Sequence, residues 1–206
     1  MALGLTALWS RAERRLSDRP PSDHPPQLRI VGSGLPSSPV DHNQPAPPPG
    51  ENAWGQPYEA IVNAEMSRGS QVDFRQLLGL RERGFRSVVN LRDENNVNAI
   101  PCRQLGLRYL RLAIPDGTPP TRAEMKVFLD FASDPKNQPV YVHCLAGIGR
   151  TSCAVACYRM AVDGFTADEA VSEATEYLCF NTEQIRFIRD FKRALDLGMV
   201  PGYPPS

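Results

Sequence analysis

Short apolar runs alternate with amphipathic windows from residue 58 to about residue 198, and their periods separate strands from helices. SVVNL (87–91), RYLRLAI (108–114) and PVYVHC (139–144) are rich in β-branched and aromatic residues and are predicted strands, with EAIVNAEMS (59–67) a weaker first one. Phe74, Leu77 and Leu78 share one helical face. Met125, Phe128, Leu129 and Ala132 share another at i, i+3, i+4 and i+7, behind a Thr121-x-x-Glu124 capping box. A second box, Thr166-x-x-Glu169, predicts a helix to about Leu178, and a last helix covers roughly 182–196. Strands interleaved with helices predict an α/β fold, a central and mostly parallel sheet of about four or five strands flanked by helices.

This patterned region is read as one domain, 58–198, with 199–206 a short flexible tail. Residues 1–57 differ in kind. They hold eleven of the 20 prolines and no helical or strand period, so they cannot bury enough apolar surface to offset their ordering entropy. That segment is predicted to be largely disordered.

Composition narrows the function classes. With 23 basic and 23 acidic residues the formal net charge is zero, which argues against a nucleic-acid partner and makes any anion site local. The five cysteines (Cys102, Cys144, Cys153, Cys157, Cys179) include no CxxC pair, and fit neither a disulfide framework nor a zinc site. A reducing, cytoplasmic setting is expected. The opening MALGLTALW is only nine residues long and runs straight into RAERR, so it is read as neither signal peptide nor span. No later run approaches the roughly 20 apolar residues of an integral membrane span.

The chemistry-bearing segment is Val140-Tyr-Val-His-Cys-Leu-Ala-Gly-Ile-Gly-Arg-Thr-Ser152, a strand that ends at His143-Cys144 and a helix that begins near Gly149. A strand, a glycine-bearing turn and a helix N-terminus form a concavity of backbone N–H groups at the positive end of a helix dipole, which suits a phosphate. Leu145, Ala146, Gly147, Ile148 and Gly149 would line it, the glycines admitting close approach of the anion. At its mouth Cys144 would be favoured as thiolate, the nucleophilic form. Arg150, six positions on, has a planar fork that can grip two phosphoryl oxygens. The Thr151 hydroxyl can hydrogen-bond the sulfur and help it leave. The plain alternative is a buried cysteine after a core strand. At average residue usage His-Cys-x-x-Gly-x-x-Arg-[Ser/Thr] arises by chance in roughly fewer than one chain in ten thousand.

HCLAGIGRTS resembles the active-site loop of the cysteine-based protein tyrosine phosphatase superfamily, His-Cys-x5-Arg-[Ser/Thr]. The resemblance extends over about residues 58–196. It implies a general acid on another loop, and Ile114-Pro-Asp-Gly-Thr-Pro-Pro120 looks like the acid loop of dual-specificity phosphatases, with Asp116 as acid and then base. A turn aspartate is the other reading of Pro-Asp-Gly. Asn181-Thr-Glu-Gln-Ile-Arg-Phe187 resembles the segment that carries a water-orienting glutamine, here Gln184, although Asn181 and Gln184 are also spaced as a capping box. The resemblance makes His143 a support for the loop and for the ionised cysteine, and a satisfied core histidine is its alternative. Ser67-Arg68-Gly69-Ser70 resembles an arginine-serine-glycine segment near the start of some bacterial and fungal phosphatases of this type, and no role is assigned to it. Cys102 or Cys153 could trap an oxidised Cys144 if close enough.

The loop interior carries no lysine, which disfavours highly charged lipid head groups, and the domain is short for the large tyrosine-specific class. A compact dual-specificity-like phosphatase is expected, acting on a phosphorylated protein or a small phosphomonoester, with no metal and no cofactor. A rhodanese-type sulfurtransferase, an arsenate reductase and a non-catalytic phosphate-binding module stay open. The oligomeric state is not legible.

Overall fold

Four adjacent parallel strands form one side of a six-stranded sheet ordered β1-β2-β3-β6-β4-β5 in a computed structural model that describes Arg29–Ile30 and residues 58–204. The strands are β1 (Arg29–Ile30), β2 (Tyr58–Asn63), β3 (Met66–Gly69), β4 (Ser87–Arg92), β5 (Arg108–Ile114) and β6 (Val140–His143). The helices are α1 (Phe74–Glu82), α2 (Ala99–Gln104), α3 (Arg122–Ser133), α4 (Gly149–Tyr158), α5 (Ala167–Glu176) and α6 (Thr182–Asp196), with a π-helical turn at Arg159–Asp163. β3, β6, β4 and β5 run parallel, whereas β1–β2 and β2–β3 are antiparallel. The expectation of disorder over 1–57 falls outside the described residues, apart from the backbone of β1.

Residues of opposite parity along the strands feed two cores. Val89, Leu91, Leu112, Ile114, Val140 and Val142 face Met125, Phe128 and Leu129 of α3, the stretch Cys153 to Tyr158 of α4, and Ile188 and Phe191 of α6. Val88 and Tyr141 face the other way, against Leu77 and Leu80 of α1 and Cys102 of α2. All six residues of β4 are buried, as expected of a strand covered on both faces. α4 is buried from Arg150 to Tyr158, and so is the central helix of its layer.

Both predicted capping boxes form: the Thr121 and Thr166 side chains accept from the N–H groups of Glu124 and Glu169, whose carboxylates reach back to the cap N–H. Each such cap contributes about 1 kcal/mol.

Three expectations need correction. The single strand over 59–67 is a hairpin of two strands, because the Asn63 side chain accepts from the Glu65 N–H (2.9 Å) and reverses the chain there. On α1 only Leu77 of the expected trio is buried; Leu80 joins it, and Phe74 and Leu78 face outward. The tail is packed at least in part: Val200 is buried and Tyr203 packs against the main core, so its apolar side chains anchor it beyond residue 198.

Candidate active site

All four parallel strands end at one edge of the sheet, and that edge carries the chemistry, the usual place for a site in a parallel sheet. β6 ends at His143 and delivers Cys144; β4 delivers Asp93 and Glu94; β5 delivers Asp116; β3 delivers Ser70 and Gln71. The structure therefore brings together residues spread over more than 70 positions.

The loop between β6 and α4 has its carbonyls tied down on the outside. The Cys144 carbonyl accepts from His143 Nδ1 (2.9 Å), and the Leu145 carbonyl from the Gln71 N–H (2.9 Å). The Gly147 carbonyl accepts both the Tyr58 hydroxyl (2.8 Å) and Arg68 Nη2 (2.9 Å), and the Ile148 carbonyl takes the first helical bond from Ser152. In a trans peptide the C=O and the next N–H point in opposite directions. The N–H groups of Leu145, Ala146, Ile148 and Gly149 are thereby turned to the inner side, next to the free N–H groups of the first turn of α4. Such an arrangement can cradle an anion. Gly147 lies at φ +75°, the left-handed region, and a methyl there would overlap the Gly69 carbonyl and the Tyr58 ring, so both backbone and space require glycine.

Cys144 is 3% exposed at the root of this loop. Arg150, with its side chain 1% exposed, is held from several directions. Nη1 donates to Glu94 Oε2 (2.8 Å) and to the Ile114 carbonyl (3.0 Å), and Nη2 donates to Glu94 Oε1 (3.1 Å). Nη2 also lies 3.0 Å from Asp116 Oδ1, and Asp93 stands 3.6 Å from Nη1. Glu94 Oε1 accepts from Arg92 Nε as well (2.7 Å), and Arg92 Nη1 donates to Gln71 Oε1 (3.1 Å). The Arg150 hydrogen bonds are the main cause holding the Glu94 carboxyl well below the usual carboxylate range. Arg150 itself is raised, since the bonds to Glu94 and the neighbouring negative groups outweigh burial.

His143 is wholly buried, and burial lowers its pKa from 6.5 to about 4. It is neutral, and because a carbonyl only accepts, Nδ1 carries the proton it donates to the Cys144 carbonyl. The Arg150 Nε, His143 Nε2 and Thr151 Oγ1 atoms are buried and make no hydrogen bond within the protein.

Asp116 is 79% exposed on its turn, which is tied to the start of α6 rather than left loose. Asn181 Nδ2 donates to the Gly117 carbonyl (3.1 Å) and Gln184 Nε2 to the Thr118 carbonyl (3.1 Å). The expected reciprocal capping box at Asn181 is half formed. Asn181 caps α6 by accepting from the Glu183 and Gln184 N–H groups, while the Gln184 side chain turns away to Thr118 and the Cys179 thiol, its amide against Gly149. Gln184 therefore stands at the rim of the anion loop.

The two cysteines considered as traps separate. Cys102 lies in the core on the other face of the sheet, and burial pushes its thiol up to about 12. Cys153 shares the main core with Cys144, as does Cys179. Glu94, Tyr58 and Gln71 escaped the sequence reading. An acidic pair directly after a parallel strand was the available signal for Glu94, whereas Tyr58 and Gln71 lie far from any motif. Arg68 lay in a segment that was noticed and given no role.

The family described as DSP-PTPase phosphatase fused to NAD+ kinase matches residues 50–191, well over half of the sequence. The chain belongs to this family. Its dual-specificity-type phosphatase fold is shared with solved structures: Tk-PTP in its active form superposes with a TM-score of 0.59 at 21% identity, covering 65% of this chain and 95% of that one. The core catalytic domain of the PP-IP phosphatase SIW14 from Saccharomyces cerevisiae gives 0.57 at 20%, covering 71% and 95%. At these identities the likeness is one of fold. Tyrosine-protein phosphatase CDC14 of Saccharomyces cerevisiae is 31% identical over 100 residues, 42% of this chain and 18% of that protein. Probable NAD kinase 2, chloroplastic, of Oryza sativa subsp. japonica is 30% identical over 126 residues, 58% of this chain and 12% of that protein. The matched regions thus span less than a fifth of either relative. No helix among the described residues is long and apolar enough to cross a membrane.

Proposed function

We propose that this chain is a phosphomonoester hydrolase of the dual-specificity type that works through a phosphocysteine. The observation that carries the reading is the placement of Arg150, 1% exposed and fixed by Glu94, on the same loop as Cys144, with Asp116 Oδ1 3.0 Å from its Nη2. A phosphoryl group gripped by Arg150 would stand beside Asp116. Cys144 Sγ attacks phosphorus; the S–P bond forms as the P–O bond to the leaving group breaks, and Asp116 gives that oxygen its proton. Water then attacks phosphorus, Asp116 takes its proton, and the S–P bond breaks to release phosphate and the thiolate. Thr151 Oγ1, buried with hydrogen-bonding capacity unused, is the group to donate to the departing sulfur. The amides of Leu145, Ala146, Gly147, Ile148 and Gly149 and the Arg150 fork stabilise the charge on the phosphoryl oxygens. Gln184 orients the hydrolytic water from the rim, and His143 holds the loop through the Cys144 carbonyl.

The substrate class is a phosphorylated protein or a small phosphomonoester. Three carboxylates around Arg150, from Asp93, Glu94 and Asp116, support a single phosphate over a heavily phosphorylated ligand. The thiolate requires a reducing setting, for which the cytoplasm is the simplest proposal. A sulfurtransferase has no use for an acid placed at Arg150 as Asp116 is.

Turnover of an aryl phosphate by the native chain and by Cys144→Ser tests the reading. Loss of hydrolysis with an intact fold is expected, and unchanged turnover would rule out covalent catalysis at this cysteine. Asp116→Ala should slow poor leaving groups by about 10²–10⁴-fold and good ones less. An equal loss across leaving groups would remove Asp116 from the acid role.

A further inference from the structure

Of the four buried arginines among the described residues, Arg92, Arg150 and Arg159 each pair with a carboxylate. Arg68 pairs with none. It is 1% exposed, and its Nε and Nη1 have no hydrogen-bond partner. Its Nη2 donates to the Gly147 carbonyl (2.9 Å) and to Ser152 Oγ (2.7 Å), and its guanidinium carbon lies 3.8 Å over the Tyr177 ring. Tyr177 stacks on Tyr58, the other donor to the same carbonyl. A guanidinium taken out of water with no carboxylate costs heavily unless something else supplies negative potential. The ring face and the carbonyl supply part of it. The remainder lies across the Gly147–Ile148 peptide, where the anion would sit.

The other ionisable groups around this spot leave the charge uncancelled. Tyr58 of β2, Tyr141 of β6, Tyr177 after α5, Cys153 of α4 and Cys179 beyond α5 are all raised by burial and stay neutral, as does His143. Glu173 of α5 is occupied by Arg159 (2.8 Å). Arg150 is the other cation of the loop, and Glu94 and Asp116 already offset it.

We propose that Arg68 is a positioning residue of the anion loop, holding the Gly147 carbonyl from beneath so that the Ile148 N–H faces the phosphoryl group, and that its unpaired charge adds to the attraction for the bound anion. The inference rests on the phosphatase reading above. A merely structural arginine would affect folding and nothing else.

The full chain is compared as native protein, Arg68→Met, Arg68→Lys and Tyr58→Phe, with near-ultraviolet circular dichroism and melting as checks of folding. The inhibition constant of inorganic phosphate is read against aryl phosphate turnover, with Cys144→Ser as background. Arg68→Met should weaken phosphate about tenfold. Arg68→Lys should recover phosphate binding incompletely, because one ammonium does not reproduce the guanidinium. Tyr58→Phe, which removes the other donor to the Gly147 carbonyl, should also weaken phosphate. A folded Arg68→Met with native phosphate inhibition overturns the proposal. If Arg68→Met does not fold, a native phosphate constant in both Arg68→Lys and Tyr58→Phe overturns it equally. A native chain that neither turns over aryl phosphate nor binds phosphate instead breaks the phosphatase reading, and that result is distinct.

Discussion

Replacing Glu94 by Gln keeps the shape of the Arg150 seat and removes its charge. In the native protein both Glu94 oxygens accept from Arg150, at 2.8 and 3.1 Å, and Oε1 accepts from Arg92 at 2.7 Å. A glutamine offers one acceptor oxygen and turns an NH2 group toward a guanidinium. One charge-assisted bond is lost and the remaining arginine bonds lose their anionic acceptor, a change of about 2–3 kcal/mol for a dry site. The Glu94 side chain is 40% exposed, so solvent screening reduces this to about 1 kcal/mol, close to a fivefold effect. Two consequences separate on steady-state kinetics with an aryl phosphate. Arg150 loses its fixed orientation, so kcat should fall about fivefold. A negative charge also leaves the mouth of the site, so KM for the dianionic substrate should fall too. The melting temperature should change little, because Glu94 is partly exposed and Arg150 keeps the Ile114 carbonyl and Asp116 as partners. A KM that rises while kcat stays native would refute the reasoning, since Glu94 would then serve binding of the substrate rather than placement of Arg150.

Other outcomes follow from the same geometry. Gly147→Ala puts a methyl against the Gly69 carbonyl and the Tyr58 ring at φ +75°, so the loop must open. Phosphate inhibition should be lost before the fold is, and native inhibition by phosphate would contradict the loop assignment. Because the His143 pKa falls from 6.5 unfolded to about 4 folded, the unfolded chain binds the extra proton between these values and stability drops as pH falls through that window. From pH 7 to pH 5 this group should account for about 2 kcal/mol by denaturant unfolding, and His143→Gln should remove that share of the pH dependence. An identical pH dependence in the two proteins would mean that the histidine is not buried neutral.

Local rules carried far along this chain, and they failed where partners were distant in sequence. Thr121-x-x-Glu124 and Thr166-x-x-Glu169 were legible as helix starts because each cap and its partner lie three residues apart. The helix face of Met125, Phe128, Leu129 and Ala132, the strand RYLRLAI and the final helix were legible for the same reason, periodicity being a short-range property. So was the loop from His143 to Arg150, whose strand, glycines and helix start are contiguous. Asn63 reversing the chain was missed, since an Asx turn inside an apolar run leaves little trace in the pattern. The seat of Arg150 needed β4 and β5 laid beside β6, which sets Glu94 and Asp116, 56 and 34 positions away, against one guanidinium. Arg68 and Tyr58 reach the Gly147 carbonyl only because β3 pairs in parallel with β6. The chain by itself determined most of its elements, the candidate nucleophile and the loop proposed to cradle an anion. Tertiary structure decided which charges surround that loop, because hydrogen bonds and ion pairs act over a few ångströms of space with no regard to distance along the backbone.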